Sequence, residues 1–499
     1  MTIETAPRVG SWARPEASLF VHGDWRPAVS DRTSGNINPT VNSDSVGDFT
    51  VADTADLEQA VQAARAASSA WAATSPVLRA RTLTAIARVI EANVDNFARD
   101  LTREEGKTLR EAQGEVRRAV QVFDFYAGAG HRLGGHLLPS ERPGFRIENR
   151  RAPLGVVAAI TPWNFPFAIP AWKVAPALIS GNAVILKPAS QTPMSAVNLV
   201  RACEEAGLPP GVLNLVPGAG NELGSAIARH PAIAAISFTG STEVGRALFQ
   251  TASAAFKRVQ TEMGGHNPMV VLADAALEDA VNIAVEGAFF STGQKCTATR
   301  RIIVEEPLYE SFLERFVAAT RGLKVGDPMD ALTQIGPVIS SSQLALDEEA
   351  VVRATGQGAT VITGGKRLED GPFGRGWFFE PTILTDVRPE FDIAQKEAFG
   401  PIVSVFKVGA LDEAIDLAND SDYGLSASIC TRDLESAERF IRSSRSGVVA
   451  VNAPTAGIEV QAPLHGAKGS GLGPPEQGDE AVEFFSEAKA VYMRFAGLA

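Results

Sequence analysis

The sequence has little that would cross-link a chain or carry it into a membrane. Three cysteines, Cys203, Cys296 and Cys430, stand far apart in 499 residues, which makes neither a disulfide framework nor a zinc ligand set. The six histidines form no close-spaced group, so no metal site is expected. Such cysteine usage suits a reducing compartment. An excess of basic residues is also missing: the formal net charge is −12, which argues against a nucleic-acid partner. The longest uncharged stretch, Ala152 to Trp172, is interrupted by Pro153, Pro162, Pro166 and Pro170 and so does not read as a membrane span. The first residues show no basic segment followed by an apolar core, so no secretory signal is expected. The expectation is a soluble, cytoplasmic protein. What is present is ordinary globular composition, 45% hydrophobic and 21% charged, enough for two or more domains.

The stretch that organises the chain is Gly287 to Arg301, with Cys296 near its centre. Leu277, Val281, Ala284 and Ala288 recur at helical spacing before it, and Ile302-Ile303-Val304 reads as a strand after it. Cys296 therefore sits on a helix-to-strand connection beside Gly293, where the backbone can bend and a substrate can approach. A thiolate there suits covalent catalysis. Taken locally, a free cysteine is more often a small buried hydrophobe, and the remaining motifs decide between the two.

Residues up to about Asp53 read as short strands and turns, and 56–72 and 76–126 as helical, with Arg79, Arg81 and Arg88 on the solvated face. Gly128 to Pro143 breaks the helical pattern, and Phe145 to Arg150 reads as an exposed ribbon. From Gly155 the pattern changes. Strands 155–160, 183–186, 212–216 and 232–238 alternate with helices 166–180, 194–205, 222–229 and 242–252. That spacing gives a parallel sheet with helices on both faces, and ligands bind at the carboxyl ends of its strands. A second α/β segment begins at Met269. Two glycine-rich turns follow strands: Gly218-Ala-Gly220 to Gly224, and Thr239-Gly240-Ser241 to Gly245. Either could seat a phosphate at a helix N-terminus, yet neither fits the dinucleotide fingerprint or a P-loop. Asn164, fixed between prolines, could stabilise an oxyanion. Glu262, ahead of Gly264 and Gly265, could be a general base. Glu397 is a third candidate. Each has a plain alternative as a turn or surface residue.

Together these motifs are recognisable. Pro162-Trp-Asn-Phe-Pro166, Lys187-Pro188, Phe238-Thr-Gly-Ser-Thr-Glu-Val-Gly245, Glu262-Met-Gly-Gly265, Gly293-Gln-Lys-Cys296 and Glu397-Ala-Phe-Gly-Pro401 resemble the aldehyde dehydrogenase superfamily, from about residue 20 to 495. The text around Cys296 and Gly457-Ile-Glu-Val460 looks most like α-ketoglutaric semialdehyde dehydrogenases. The resemblance implies an α/β fold of two doubly wound domains with a β-ribbon oligomerisation arm. Residues 1–128 and 151–262 would bind NADP or NAD, 263–470 would be catalytic, and 129–150 with 471–499 would form the arm. The ribbon would pair with a partner subunit's C-terminal strand in a homodimer or homotetramer.

The implied activity is oxidation of an aldehyde to a carboxylic acid through a cysteine thiohemiacetal and thioester. Cys296 would be the nucleophile, Asn164 an oxyanion donor and Glu262 the water-activating base. The cofactor would be held by Ile160, Thr161, Pro162, Trp163, Lys187, Ser190, Gly220, Gly224, Gly240, Ser241, Val244, Glu397 and Phe399. Phe165, Trp172 and Leu464 would line the aldehyde tunnel, with Arg300 or Arg301 either supplying charge nearby or facing solvent. Departures from the family pattern are Ser190 in place of a glutamate, His266 in place of a lysine, and Pro463-Leu-His-Gly466 in place of Pro-Phe-Gly-Gly. The alternative is a catalytically silent relative serving as a binding or structural protein.

Overall fold

The computed structural model describes residues 18–495. Two open sheets carry the fold. The first runs, in spatial order, Asp24–Arg26, Leu19–Val21, Leu213–Leu215, Ala183–Lys187, Val156–Ile160, Ile233–Thr239, Arg258–Glu262, Gly471–Leu472. Its central strands are parallel and only the edges are antiparallel. Val157 and Ala159 pack into one apolar layer while Val156, Ala158 and Ile160 pack into the other. The run from Val156 to Ile160 is therefore apolar throughout, because both of its faces are covered. The second sheet is ordered Thr360–Thr363, Thr382–Thr385, Ile402–Val408, Thr299–Glu305, Asn267–Val271, Ser426–Cys430, Val448–Val451. It too is buried on both faces, with Val270 and Ile303 on one side and Met269, Val271, Ile302 and Val304 on the other. The fold is the two-sheet, doubly wound α/β architecture that the resemblance implied.

The helical stretch from Pro76 onward is broken into Pro76–Ala92, Val94–Glu105 and Leu109–Ala129. Asn93 leaves helical geometry between the first two, and Gly106 ends the next in the left-handed region at φ 94°. A Cβ on Gly106 would meet Pro39 and Pro337 side chains at 2.9 Å each. Arg79 is a correction to the solvated-face reading. It is buried, and its guanidinium donates to the carbonyls of Ile179 (2.9 Å) and Thr74 (2.7 Å). Helical spacing cannot tell a solvated arginine from one that satisfies buried carbonyls.

A third, small sheet stands apart: His136–Leu138, Phe145–Pro153 and Ser486–Arg494, all antiparallel. Phe145–Pro153 pairs with the C-terminal strand of its own chain, with Phe145 opposite Arg494 and Pro153 opposite Ser486. Gly471–Leu472 lies instead on the edge of the first sheet, beside Glu262. Among the described residues no helix is long and apolar enough to cross a membrane.

Candidate active site

The strand ends of the first sheet set the site. Ile160 lies level with Lys187 on one side and with Phe238 on the other, and Thr239 is level with Glu262. Chain order reverses at Val156–Ile160, since later strands lie on both sides of it. A crevice opens outside the carboxyl ends at such a reversal. A cavity of about 450 Å³ fills it, and Cys296 and Asn164 form part of its wall. All thirteen residues expected to hold a cofactor line the same cavity: Ile160, Thr161, Pro162, Trp163, Lys187, Ser190, Gly220, Gly224, Gly240, Ser241, Val244, Glu397 and Phe399. Gln343, Met263 and Gly264 line it too and were missed. Gln343 lies on a helix whose sequence reads as an ordinary surface segment, so nothing local marked it.

Cys296 follows a strained turn. Ser291, Thr292 and Gly293 lie consecutively in the left-handed region, at φ 56°, 54° and 67°, where the two non-glycine residues cost energy that their surroundings must offset. Glu111 accepts from the Ser291 amide at 2.6 Å, and Thr292 donates its hydroxyl to the Gly336 carbonyl at 3.1 Å. A Cβ on Gly293 would lie 2.2 Å from the Gly400 carbonyl oxygen, so only glycine fits. Arg300 bonds the carbonyls of Gly293 and Gly400 and clamps the two loops together. Arg301 donates to the carbonyls of Leu417 and Ala418, at 2.9 Å each, at the end of the helix Leu411–Asn419. Both arginines are buried and committed to carbonyls. Neither faces solvent.

The Cys296 side chain is partly open to the cavity, yet protein crowds its sulfur. Burial, then the carboxylates of Glu397 and Glu262, push the thiol up to about 12, while the backbone amides of Thr297 and Cys296 itself pull the other way. Glu262 is buried at its strand end and is raised to about 7, chiefly by burial. One of its oxygens accepts from the Gly466 amide at 2.9 Å. Asn164 donates its side-chain amide to the Gln294 carbonyl at 3.0 Å. Its backbone carbonyl accepts from the buried Lys107 ammonium at 2.7 Å, which also pairs with Glu115 at 2.6 Å. Gly264 and Gly265 allow the close approaches here. A Cβ on the first would lie 2.1 Å from a Glu397 oxygen, and on the second 2.5 Å from the Cys296 carbonyl.

Phe165, Trp172 and Leu464 lie outside that cavity. Trp172 donates its indole N–H to Glu476 at 2.9 Å, and Leu464 pairs with the backbone of Glu476 at 2.7 Å. Phe165 lies under the Lys107 ammonium, 4.1 Å from its ring centre. The structure thus brings Trp172 and Leu464 together at Glu476 and places Phe165 beside the Asn164 loop. Glu476 also pairs with the buried Lys173 and accepts from Ser237 at 3.0 Å.

The cavity's chemistry fits a nicotinamide dinucleotide. The buried Lys187 ammonium has the Pro188 carbonyl as its hydrogen-bond partner, at 2.8 Å, and burial lowers it to about 8. A ribose hydroxyl or phosphate would complete its shell. The helix Thr242–Ser253 starts at Ser241 with no side-chain cap, so its free N–H groups face the cavity and suit a pyrophosphate. Glu397 and the Trp163–Phe399 pair, ring centres 5.3 Å apart, stand at the Cys296 end.

Comparison with known proteins agrees. The profile of the aldehyde dehydrogenase family matches residues 25–491. An α-ketoglutaric semialdehyde dehydrogenase of Bacillus subtilis is 41% identical over 95% of this chain and 97% of its own length. An α-ketoglutarate semialdehyde dehydrogenase of Haloferax volcanii is 42% identical over 95% and 98%. Among solved structures, betaine aldehyde dehydrogenase of Staphylococcus aureus in complex with NAD+ superposes with a TM-score of 0.94 at 33% identity, covering 97% of this chain and 96% of that one. An NADP-dependent enzyme of E. coli gives 0.93 at 35%, covering 96% and 98%. Nothing in these likenesses supports the catalytically silent alternative. The chain belongs to the aldehyde dehydrogenase family and is an NAD(P)-dependent aldehyde dehydrogenase.

Proposed function

We propose that Cys296, Glu262 and Asn164 carry the reaction on a small acidic semialdehyde, with NADP used at least as well as NAD. The observation that carries this reading is that Cys296 and Asn164 wall one cavity while the Glu262 carboxylate, outside its lining, is near enough to push the Cys296 thiol up. Cys296 attacks the aldehyde carbon, and the resulting oxyanion is held by the Asn164 amide and the Cys296 backbone N–H. An oxidised nicotinamide, when bound, supplies the hydride acceptor that converts the thiohemiacetal to a thioester. Glu262 removes a proton from water for hydrolysis of that thioester. Its ordinary pKa would make it a weak base, and burial strengthens it.

Substrate class rests on the two semialdehyde dehydrogenases above, which share close to two residues in five with this chain. Cofactor choice rests on Ser190. Its hydroxyl donates to the Gly218 carbonyl at 3.1 Å, it lines the same cavity as Lys187, and it carries no charge to repel a phosphate. A carboxylate at that position would repel a 2′-phosphate, by about 1 kcal/mol in water at 4 Å and more where solvent is excluded. We also assign 1–128 and 151–262 to cofactor binding, 263–470 to catalysis and the third sheet to self-association as a dimer or tetramer. Exposed Leu137, Leu138 and Tyr492 on that sheet favour the last assignment. Three unpaired cysteines suit a cytoplasmic setting.

The test is an aldehyde panel run with both cofactors and followed at the absorbance of the reduced nicotinamide. Acidic aliphatic semialdehydes should give the highest kcat/KM. A clear preference for neutral aromatic aldehydes would overturn the substrate assignment.

A further inference from the structure

The segment that departs from the family pattern, Pro463 to Gly466, lies directly on Glu262. Gly466 donates its amide to one Glu262 oxygen at 2.9 Å, and His465 Nδ1 stands 3.6 Å from the other. That second distance is an ion-pair contact rather than a hydrogen bond. Both atoms facing across the gap, Glu262 Oε1 and His465 Nδ1, are buried and have no other hydrogen-bond partner. The backbone on either side is fixed. A Cβ on Gly447 would lie 1.7 Å from the His465 carbonyl oxygen, and a Cβ on Gly466 would lie 2.3 Å from the Ser470 carbonyl group. The loop that carries the imidazole is thus held against this carboxylate.

Exposure differs sharply across the pair. The Glu262 side chain is 4% exposed and that of His465 is 35% exposed. The other charged groups around Glu262 offer no such outlet. Lys173 lies inward and is held by Glu476 and Ser237, Glu476 is itself buried, and Cys296 is the reacting group. For His465, the charged group acting on it is Glu262.

We propose that His465 is a positioning residue for Glu262 and the group through which that carboxylate exchanges its proton with solvent. The inference rests on Glu262 being the water-activating base. In hydrolysis, water gives a proton to Glu262 while its oxygen bonds to the thioester carbon. The carbon–sulfur bond then breaks, the electron pair leaves on Cys296, and the carboxylic acid departs. The Glu262 proton passes to the unprotonated Nδ1 of neutral His465, Nε2 releases its own proton to solvent, and exchange with water then returns the ring to the Nε2–H tautomer so that Nδ1 can accept again. The base is restored without reorganising the inner Lys173–Glu476 network.

The experiment compares His465→Phe, His465→Gln and His465→Ala with Glu262→Gln in burst and steady-state kinetics of the full chain. His465→Phe and His465→Gln should keep the burst amplitude and aldehyde KM within about twofold while lowering the steady-state rate about tenfold, the size of a proton-transfer contribution. His465 opposes the rise that burial imposes on Glu262, so its loss should move the acid limb of kcat to higher pH. Free imidazole should restore the rate of His465→Ala. Circular dichroism and cofactor binding check that each variant folds, and the glutamine variant replaces the phenylalanine one if that fails. An unchanged steady-state rate and acid limb, or loss of the burst in a folded His465→Gln, would overturn the proposal. Full turnover by Glu262→Gln would instead remove the base assignment beneath it.

Discussion

At the scale of single residues, the account turns on how a buried site sets proton affinities. Cys296, pushed up to about 12 by burial and by Glu397 and Glu262, is mostly thiol near neutral pH in the free enzyme. Its alkylation by iodoacetamide should therefore quicken about tenfold per pH unit across the neutral range, following the thiolate fraction. Removing a nearby negative charge, as in Glu397→Gln, should speed alkylation at fixed pH; a slower reaction would contradict the electrostatic assignment. Glu262, raised to about 7, is the conjugate base only above that value, so kcat should fall as pH drops below it. A flat kcat down to about pH 5 would show that another group sets the limb. Ser190→Glu should lower kcat/KM with NADP about tenfold, or roughly 1.4 kcal/mol, and spare NAD. A wild type that already rejects NADP would move that choice elsewhere. These residues were legible because the chemistry demands particular side chains within short motifs. Arg300 and Arg301 were not, since a guanidinium on charge gives no sign that it will bond carbonyls inside the fold.

At the scale of elements, strands such as Val156–Ile160 and Asn267–Val271 were plain in the sequence because burial on both faces leaves continuous apolar runs. The breaks at Asn93 and Gly106 were less plain, because at the first the apolar spacing runs on from Ile86 and Ile90 to Val94 and Phe97 and at the second the charged residues suit a helix surface. The left-handed run at Ser291 and Thr292 had no local signal at all. It is imposed by partners far along the chain, Glu111 and Gly336. Gly106 gives a clean test of the element-level reading. Gly106→Ala should lower stability by about 1–3 kcal/mol, through the left-handed backbone and the contacts with Pro39 and Pro337. Denaturant unfolding measures this, and turnover at low temperature should stay unchanged. A loss well below 1 kcal/mol would mean that the prolines move aside.

At the scale of the whole molecule, alternation of strands and helices announced two α/β units, and the cavity at the chain reversal followed from topology alone. The ribbon was legible in the residues themselves, whereas the C-terminal segment 471–499 was grouped with it only through the family resemblance. The pairing of Phe145–Pro153 with Ser486–Arg494 joins segments more than 300 residues apart, and neither segment's pattern names its partner. Deleting residues 486–499 would leave Phe145–Pro153 with an open edge and remove part of the surface assigned to self-association. Light scattering on the truncated chain should show dissociation to smaller species or aggregation through that edge. An unchanged native mass would place the subunit interface elsewhere.

The central claim is that turnover passes through an acyl group on Cys296, cleared by water that Glu262 activates. Glu262→Gln, mixed with aldehyde and oxidised cofactor and quenched in acid after the burst, should yield the acyl mass on the peptide containing Cys296. Cys203 and Cys430 should stay unmodified. A full burst with no acyl mass on that peptide, or with the mass on another residue, would contradict the account.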